Sequence, residues 1–281
     1  MDESVTKAVL GNTISPMLSS KTSFAMAMTE LSDIHHKAIK SFTSDDRRRT
    51  YLPIIQPCFM AKFKLDGERI VCHINQGRIT MQTRNDVWYS DLYCPCLAPA
   101  IRKAMSKWDV NVILDGEVLS WDNGRKEHAR FGMNRAVAQA RKMWMEETGL
   151  LEKRDLNLHS RESDKNVMSA SAEQPPKDSS MGRNCWLKYV LFDVLYVDGP
   201  IAHAMLSLAL GCDVANNTNG SIVHLSCFER KRILHSLIEP VQNQVEHVPA
   251  LVIRPDGTSK PAEDYFSPTS PFMIEDHFKT C

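Results

Sequence analysis

The chain has 281 residues, of which 43% are hydrophobic and 24% charged, and its 34 Lys and Arg residues balance its 34 Asp and Glu residues. This length is typical of one large domain or two small ones. The composition excludes a wholly disordered or collagen-like chain, and the zero net charge excludes a strongly basic nucleic-acid-binding tail. The composition does not exclude a nucleic-acid partner, because a chain with zero net charge can still have one basic face.

The sequence offers no sign of membrane insertion, secretion or a cysteine-based metal site. No window contains 18 consecutive apolar residues, so we expect no transmembrane helix. The first residues, Met1-Asp2-Glu3, lack the basic and then apolar layout of a secretory signal. Cys94 and Cys96 are the closest pair among the eight cysteines, and their spacing is not that of a zinc site. We interpret the cysteines as reduced thiols of an intracellular protein.

The spacing of apolar residues predicts the secondary structure in chain order. Helices are predicted at 20–42, 97–108 and 127–148, and from the capping box Ser226-x-x-Glu229 to Pro240. Strands are predicted at 59–66, 69–75, 78–84, 186–197 and 250–253, with a pair of strands at 110–121 that breaks at Asp115-Gly116. Gln76-Gly77 favours a tight hairpin turn between the second and third strands.

Residues 160–185 contain no Leu, Ile, Phe, Tyr or Trp. Such a segment cannot bury enough apolar area to offset its ordering entropy. We therefore predict a disordered insertion at about 155–185. The predicted parts of the chain are a mostly helical N-terminal part at 1–50, a core at 51–260 and a loop-like tail at 261–281.

Three short segments on predicted strands contain residue types that catalytic sites use, namely a lysine, carboxylates and an aromatic ring. Lys64–Arg69 reads Lys-Leu-Asp-Gly-Glu-Arg, Leu114–Glu117 reads Leu-Asp-Gly-Glu, and Tyr189–Leu195 contains Phe-Asp-Val-Leu. Each segment alone is weak evidence for a functional site, because a turn between core strands produces the same pattern. By themselves, Lys64 and Glu117 would be interpreted as surface residues and Phe192 as a core residue. Their joint order favours one shared site.

These segments resemble those of the covalent nucleotidyltransferases, which comprise ATP-dependent DNA ligases, RNA ligases and mRNA capping enzymes. Lys64–Arg69 and Phe192–Leu195 resemble the DNA ligase IV branch most. Ile14–Leu18 resembles the proline-methionine-leucine segment at the start of the ligase adenylation domain, and Thr83–Asn85 resembles the segment that follows the first motif. The resemblance extends from about residue 10 to about residue 255.

The resemblance implies an α+β fold, with an ATP-grasp-like covalent nucleotidyltransferase core of antiparallel sheets flanked by helices. It implies an ATP-dependent DNA ligase that forms a lysyl-AMP intermediate and seals DNA nicks or breaks in repair and recombination. The implied substrates are ATP with Mg²⁺ and nicked or broken double-stranded DNA. Repair scaffold proteins are expected as further partners, and the expected location is the nucleus, without a membrane association.

The resemblance also assigns roles to individual residues. Lys64 Nζ would attack the α-phosphate of ATP and expel pyrophosphate, and Gly67 would let the backbone approach the nucleotide. The other implied roles are phosphate or ribose contact by Arg69, ribose or 5′-phosphate binding by Arg84, ribose or metal binding by Glu117, and adenine stacking by Phe192.

Four departures from the family pattern leave alternatives open. Lys62 occupies the position of a glutamate that reads adenine, and Asp86 replaces a glycine. No Glu-Gly pair follows Gly199, and Trp186 is the last tryptophan, so the expected Glu-Gly-x-x-x-Lys and Trp-x-Lys-x-Lys segments are missing. We expect a C-terminally truncated ligase domain. The alternatives are an inactive remnant that binds nucleotide or a repair partner, and a relative of mRNA guanylyltransferases or RNA ligases.

Overall fold

The computed structural model describes the parts of the chain that surround the three motifs. The described residues are 8–12, 14, 26, 29, 59–85, 87–105, 109–130, 132–150, 179–210, 220–253, 259–261 and 264. Met26 and Thr29 are helical, and the rest of the helix predicted at 20–42 lies outside these ranges. Most of the predicted insertion at 155–185 also lies outside them.

The described residues form a mixture of helices and strands, which confirms the α+β class. The strands are β1 (Phe59–Lys62), β2 (Glu68–Asn75), β3 (Arg78–Thr83), β4 (Asn111–Asp122), β5 (Glu127–His128), β6 (Cys185–Asp198), β7 (Val245–His247), β8 (Ala250–Ile253) and β9 (Ser259–Pro261). The helices are α1 (Ser90–Ala104), α2 (Asn134–Glu147), α3 (Ser179–Asn184), α4 (Ala202–Leu210) and α5 (Cys227–Leu237). Within the described ranges, no helix combines the length and apolar character that crossing a membrane requires.

Most strands belong to one large sheet, which has the order β3-β2-β4-β6-β7 with β5 paired to β4. Neighbouring strands are antiparallel, except for β6 and β7, which are parallel. The prediction of antiparallel sheets therefore holds for all pairs of the large sheet but one. The parallel pair needs a crossover, and α4 and α5 lie in the chain between its two strands.

The chain divides into two compact units that cut across the order of the sequence. One unit contains residues 1–15 and 64–248, and the other contains residues 16–63 and 249–281. The second unit includes a small antiparallel sheet in which β8 lies between β1 and β9. The three-part division at residues 50 and 260 stays a prediction about organisation.

The hairpin predicted at Gln76-Gly77 is confirmed. β2 and β3 pair up to Asn75 and Arg78, which leaves two residues in the turn. Both turn residues have positive φ, 49° for Gln76 and 76° for Gly77. This is the backbone that a type I′ turn requires, and its twist matches that of the strands.

One face of the large sheet is covered by helices and forms the main core. Apolar side chains alternate along β2, β4 and β6 and meet the apolar faces of the helices. Examples are Ile70, Cys72, Leu114, Tyr189 and Leu191 from the strands and Leu97, Ile101, Met205, Ile233 and Leu234 from α1, α4 and α5. Among the described residues, the apolar clusters on the opposite face are smaller, and polar side chains such as Arg69, Asp115 and Glu117 share that face.

Tyr189 ties the three central strands together. Its ring is fully buried, and its hydroxyl lies 2.8 Å from the carbonyl oxygen of Ile70 in β2 and 3.2 Å from that of Leu114 in β4. Gly116 makes room for this ring, because a Cβ at that position would lie 2.7 Å from it. The strands that carry the second and third motifs are therefore held in one fixed arrangement.

Helix α1 begins at Ser90, seven residues before the predicted start, and contains two prolines. Pro95 has no N–H to donate to the carbonyl of Asp91 one turn earlier. Lys142 Nζ from α2 donates to that carbonyl at 3.3 Å instead. The helix tolerates Pro95 because a neighbouring helix supplies the missing donor, which local sequence does not reveal.

Three other predictions need correction. The strand pair predicted at 110–121 is one continuous strand, β4. The register shifts in its pairing arise from extra residues in the partner strand β6 and do not break β4. The helix predicted at 127–148 is shorter, since β5 takes the first residues and α2 begins only at Asn134. The end of the predicted insertion is ordered, because α3 covers Ser179–Asn184 and β6 starts at Cys185.

The capping box at the start of α5 is confirmed, since Ser226 Oγ accepts from the Glu229 amide and Glu229 accepts from the Ser226 amide. Further along this helix, His235 stacks on His247 of β7, with ring centroids 3.9 Å apart. Burial lowers the pKa of His235 to about 2 and that of His247 to about 4, and the charge of nearby Lys231 contributes to both shifts.

The histidine pair predicts that acid weakens the fold. Below the ordinary histidine pKa near 6.5, the unfolded chain binds protons that the folded chain excludes, so stability is full above that pH and falls below it. We expect the free energy of unfolding to drop by about 2–4 kcal/mol between pH 7 and pH 5, measured by urea denaturation. Replacing both His235 and His247 with phenylalanine should flatten this dependence, whereas His224→Phe on the surface should preserve it. An unchanged slope in the double variant would contradict the assignment.

Candidate active site

The first motif lies in the loop between β1 and β2, and its glycine is packed against β4. Lys64 and Asp66 are exposed, and Gly67 is half-buried. A Cβ on Gly67 would lie 2.4 Å from the carbonyl oxygen of Val118 and 2.6 Å from Leu119 Cδ2. The close approach that requires glycine is therefore to β4, which gives Gly67 a role in packing that the sequence did not predict. This contact places the loop that carries Lys64 beside the second motif.

Arg69 and Glu117 lie directly opposite each other in the pairing of β2 with β4. Arg69 nevertheless forms its two-pronged ion pair with Asp115, in which Nε donates to Oδ1 at 2.8 Å and Nη2 contacts Oδ2. Asp115 is only 3% exposed, and this burial raises the pKa of its carboxyl, against the opposing effect of Arg69. Burial also disfavours the charge on Arg69, but Asp115 outweighs it and raises the pKa of Arg69.

Glu117 connects the second motif to the first. Its Oε1 atom accepts a hydrogen bond from the Gly67 amide at 3.2 Å. Burial raises the pKa of Glu117, and the Gly67 amide and the charges of Arg69 and Lys64 partly offset this rise. Lys64 is thus close enough for its charge to act on Glu117, although its side chain points into solvent.

Phe192 owes its position to a β-bulge in β6. Asp115 pairs with Asp193 and Gly116 pairs with Leu191, so Phe192 is an extra residue with no partner on β4. A bulge redirects side chains locally and is common beside active sites. Phe192 packs against the cluster of Leu119, Val190 and Val248. Its ring centroid lies 5.6 Å from Arg69 Cζ, within range of a cation–π contact.

The structure thus brings together four of the five predicted site residues, with Lys64, Arg69, Glu117 and Phe192 linked by direct contact or by charge. Arg84 stands apart from them. It is exposed and follows Thr83, which pairs with Ile70 at the same end of the sheet as Arg69. Within the described part of the chain, no hydrogen bond or ion pair joins Arg84 to the other four.

Sequence reasoning missed two carboxylates that shape the site. Asp115 lies two residues before Glu117 on β4 and therefore faces the same side of the sheet. The alternation of side chains along this strand could have identified it from the sequence. Glu68 faces the helices instead, where it accepts from the Tyr93 hydroxyl and, at 3.1 Å, from Arg135 Nη2. Arg135 Cζ also lies 4.8 Å from the ring centroid of Tyr89. These contacts from α1 and α2 secure the start of β2, next to Arg69.

The residues present fit a nucleotide better than a protein-only metal site. Arg69 supplies a cation, Phe192 an aromatic face, and Glu117 a carboxylate whose Oε2 accepts no hydrogen bond from the described residues. Among those residues, no group of three or more His, Cys, Asp or Glu side chains could hold a metal ion. Mg²⁺ commonly needs only one or two carboxylates together with substrate phosphates and water, which Glu117 fits.

Comparison with known proteins agrees with the motif pattern. Residues 16–258 match the family model of the ATP dependent DNA ligase domain. The chain is 28% identical over 187 residues to the putative DNA ligase 4 of Oryza sativa subsp. japonica and 25% identical over 198 residues to DNA ligase 4 of Arabidopsis thaliana. These matches cover 66% and 70% of this chain, but only 12% and 11% of the length of the two relatives.

Two solved structures are similar to the chain at low sequence identity. The ligase domain of M. tuberculosis LigD gives a TM-score of 0.34, and mycobacterial DNA ligase D complexed with ATP and MES gives 0.26. Each is 14% identical, and each match covers 73% of this chain and 50% of the other.

Proposed function

The chain belongs to the family of ATP-dependent DNA ligase domains, and from this premise we propose that it transfers AMP from ATP to its own Lys64. The observation that carries the proposal is the convergence of Arg69, Glu117 and Phe192 on one face of the large sheet, beside the loop of Lys64. These are the residue types that a nucleotide requires, in the strand order of the family.

In the proposed reaction, Lys64 Nζ loses a proton and attacks the α-phosphorus of ATP. An N–P bond forms, the bond from the α-phosphorus to the bridging oxygen breaks, and pyrophosphate leaves with that oxygen. Arg69 contacts the phosphates or ribose, where its charge is favourable. Phe192 stacks on the adenine, and Glu117 accepts from a ribose hydroxyl or contributes to a Mg²⁺ site that offsets phosphate charge during displacement.

The later steps of the proposal concern DNA. AMP passes from Lys64 to a 5′ phosphate at a nick or break, and the neighbouring 3′ hydroxyl then displaces AMP and seals the strand. Arg84 is the proposed contact for the 5′ phosphate or the ribose. The name DNA ligase 4 of the two curated relatives supports DNA as the substrate. Our proposal extends to nicked or broken double-stranded DNA in repair and recombination, in the nucleus and with repair scaffold proteins.

A second candidate function is nucleotide binding without transfer. The observation that favours it is Lys62, an exposed cation in the position where the family has a base-reading glutamate. In this case the site would hold ATP, but Lys64 would not become adenylated.

The mass of the intact chain after incubation with ATP and Mg²⁺ separates these candidates. We expect a gain equal to one AMP, mapped to Lys64 by peptide mass, and little gain with GTP. Folded protein that binds ATP and never gains mass would contradict the transfer and favour the second candidate. A gain with GTP alone would favour a guanylyltransferase.

A further inference from the structure

A second arginine–aspartate pair lies beside the candidate site. Arg230 of α5 is buried, and its Nε and Nη2 atoms each donate to Asp193 of β6 at 2.9 Å. Its third nitrogen, Nη1, donates to the carbonyl of Leu225 at 2.6 Å, and a weaker contact reaches Val223 at 3.4 Å. All three guanidinium nitrogens are engaged, so Arg230 holds Asp193 in one orientation.

Asp193 and Asp115 are direct partners in the antiparallel pairing of β6 with β4. Direct partners face the same side of a sheet with Cα atoms about 5 Å apart, and like charges there repel each other. The charge of Asp193 indeed disfavours ionisation of Asp115. The fold tolerates two carboxylates at this point because each has its own arginine, Arg69 for Asp115 and Arg230 for Asp193.

The four side chains therefore form a row in which two cations flank two anions. Arg69 is the member that contacts Phe192 and the proposed nucleotide. Without Arg230, Asp193 would lose its partner cation beside Asp115, and we expect the two carboxylates then to compete for the guanidinium of Arg69. Asp193 is also connected to the candidate site through the backbone, since it directly follows the bulged residue Phe192 in the chain.

We propose that Arg230 is a positioning residue for Arg69, because by occupying Asp193 it leaves Asp115 and Arg69 paired in the geometry that the nucleotide meets. The consequence for catalysis rests on the function proposed above. The positioning itself does not require nucleotide and is measurable without it.

The test follows the Arg69 Nε–H signal by nuclear magnetic resonance, assigned through Arg69→Lys. In Arg230→Met we expect this proton to exchange with water about tenfold faster, because its bond to Asp115 is shared. Adding Asp193→Asn to Arg230→Met should restore slow exchange, since the competing charge is gone. Arg230→Lys should be intermediate, and Arg232→Met on the same helix should match the wild type. If Arg230→Met does not fold, the double variant and Arg230→Lys still give the comparison.

The same variants are then titrated with ATP by calorimetry. We expect about tenfold weaker binding in Arg230→Met and recovery in the double variant. A purely structural Arg230, needed only to hold the Leu225 carbonyl, would give a loss that Asp193→Asn does not rescue, and this would overturn the proposal. Unchanged Arg69 exchange in folded Arg230→Met would overturn it as well. A wild type that never gains AMP would refute the proposed transfer, while the exchange measurement would still decide the role of Arg230.

Discussion

Replacing Lys64 with alanine is expected to abolish transfer of AMP to the chain, with a fall of at least about a thousandfold in the initial rate. The amine is the atom that forms the new bond, and an alanine leaves nothing in its place. Because Lys64 is exposed and lies outside the strands, its loss should leave the fold and its stability unchanged. The rate is measured with α-labelled ATP and confirmed by intact mass.

Two further variants make this result specific. Lys64→Arg keeps a cation near Glu117 but replaces the nucleophile, so it should be as inactive as Lys64→Ala. Lys103→Ala, on the exposed side of α1, should retain the wild-type rate. Persistence of the adduct in Lys64→Ala, or its mapping to another residue, would show that the chemistry lies elsewhere.

Gly67→Ala is expected to damage stability and transfer together. The new Cβ would press against the Val118 carbonyl, which belongs to a central strand and has no room to move. Overpacking of this kind costs about 1–3 kcal/mol. The loop would shift outward, the Gly67 amide would leave Glu117, and Lys64 would lose its position relative to Arg69.

Urea unfolding and the AMP-transfer rate measure the two effects of Gly67→Ala separately. Gly124→Ala is the matched control, because it lies in an exposed turn where the nearest atom is a side-chain oxygen of Asp122 at 3.2 Å and no backbone atom beyond its chain neighbours lies within 4 Å. We expect it to cost less than about 0.5 kcal/mol. Equal stability of the two variants would mean that the loop is not clamped on β4 as described.

Elements with strong local signals were predictable from the sequence. Gln76-Gly77 allows only a few backbone geometries, and Ser226 and Glu229 satisfy each other across one helical turn, so short-range chemistry decides both. The buried strand at 185–198 is apolar on both faces, a pattern with few alternatives. The order of the three motifs also predicted that Lys64, Arg69, Glu117 and Phe192 would lie close together, but it did not predict the partner Asp115.

Features that depend on distant partners were not predictable. The placement of Phe192 depends on a bulge that appears only when β6 is aligned with β4. The pairing of Arg69 with Asp115 instead of Glu117 depends on side-chain reach and burial, which register alone does not decide. In helix α1, Pro95 cannot donate a hydrogen bond to the Asp91 carbonyl, and the donor is Lys142, which lies 47 residues beyond the proline. In each case, a contact between remote residues overrides local preference.

The pairing of β1 with β8 has a consequence for a chain that is still being synthesised. Lys62 pairs with Ala250, which lies 188 residues later. At ordinary elongation rates, β1 would wait roughly ten to forty seconds for its partner. Residues 64–198, by contrast, contain Lys64, Arg69, Glu117, Phe192 and the antiparallel strands around them. Strands β2, β3, β4 and β6, which carry Arg69, Glu117 and Phe192, can therefore pair on the nascent chain while the strand just before Lys64 is still unpaired. Closing that long loop is a late step.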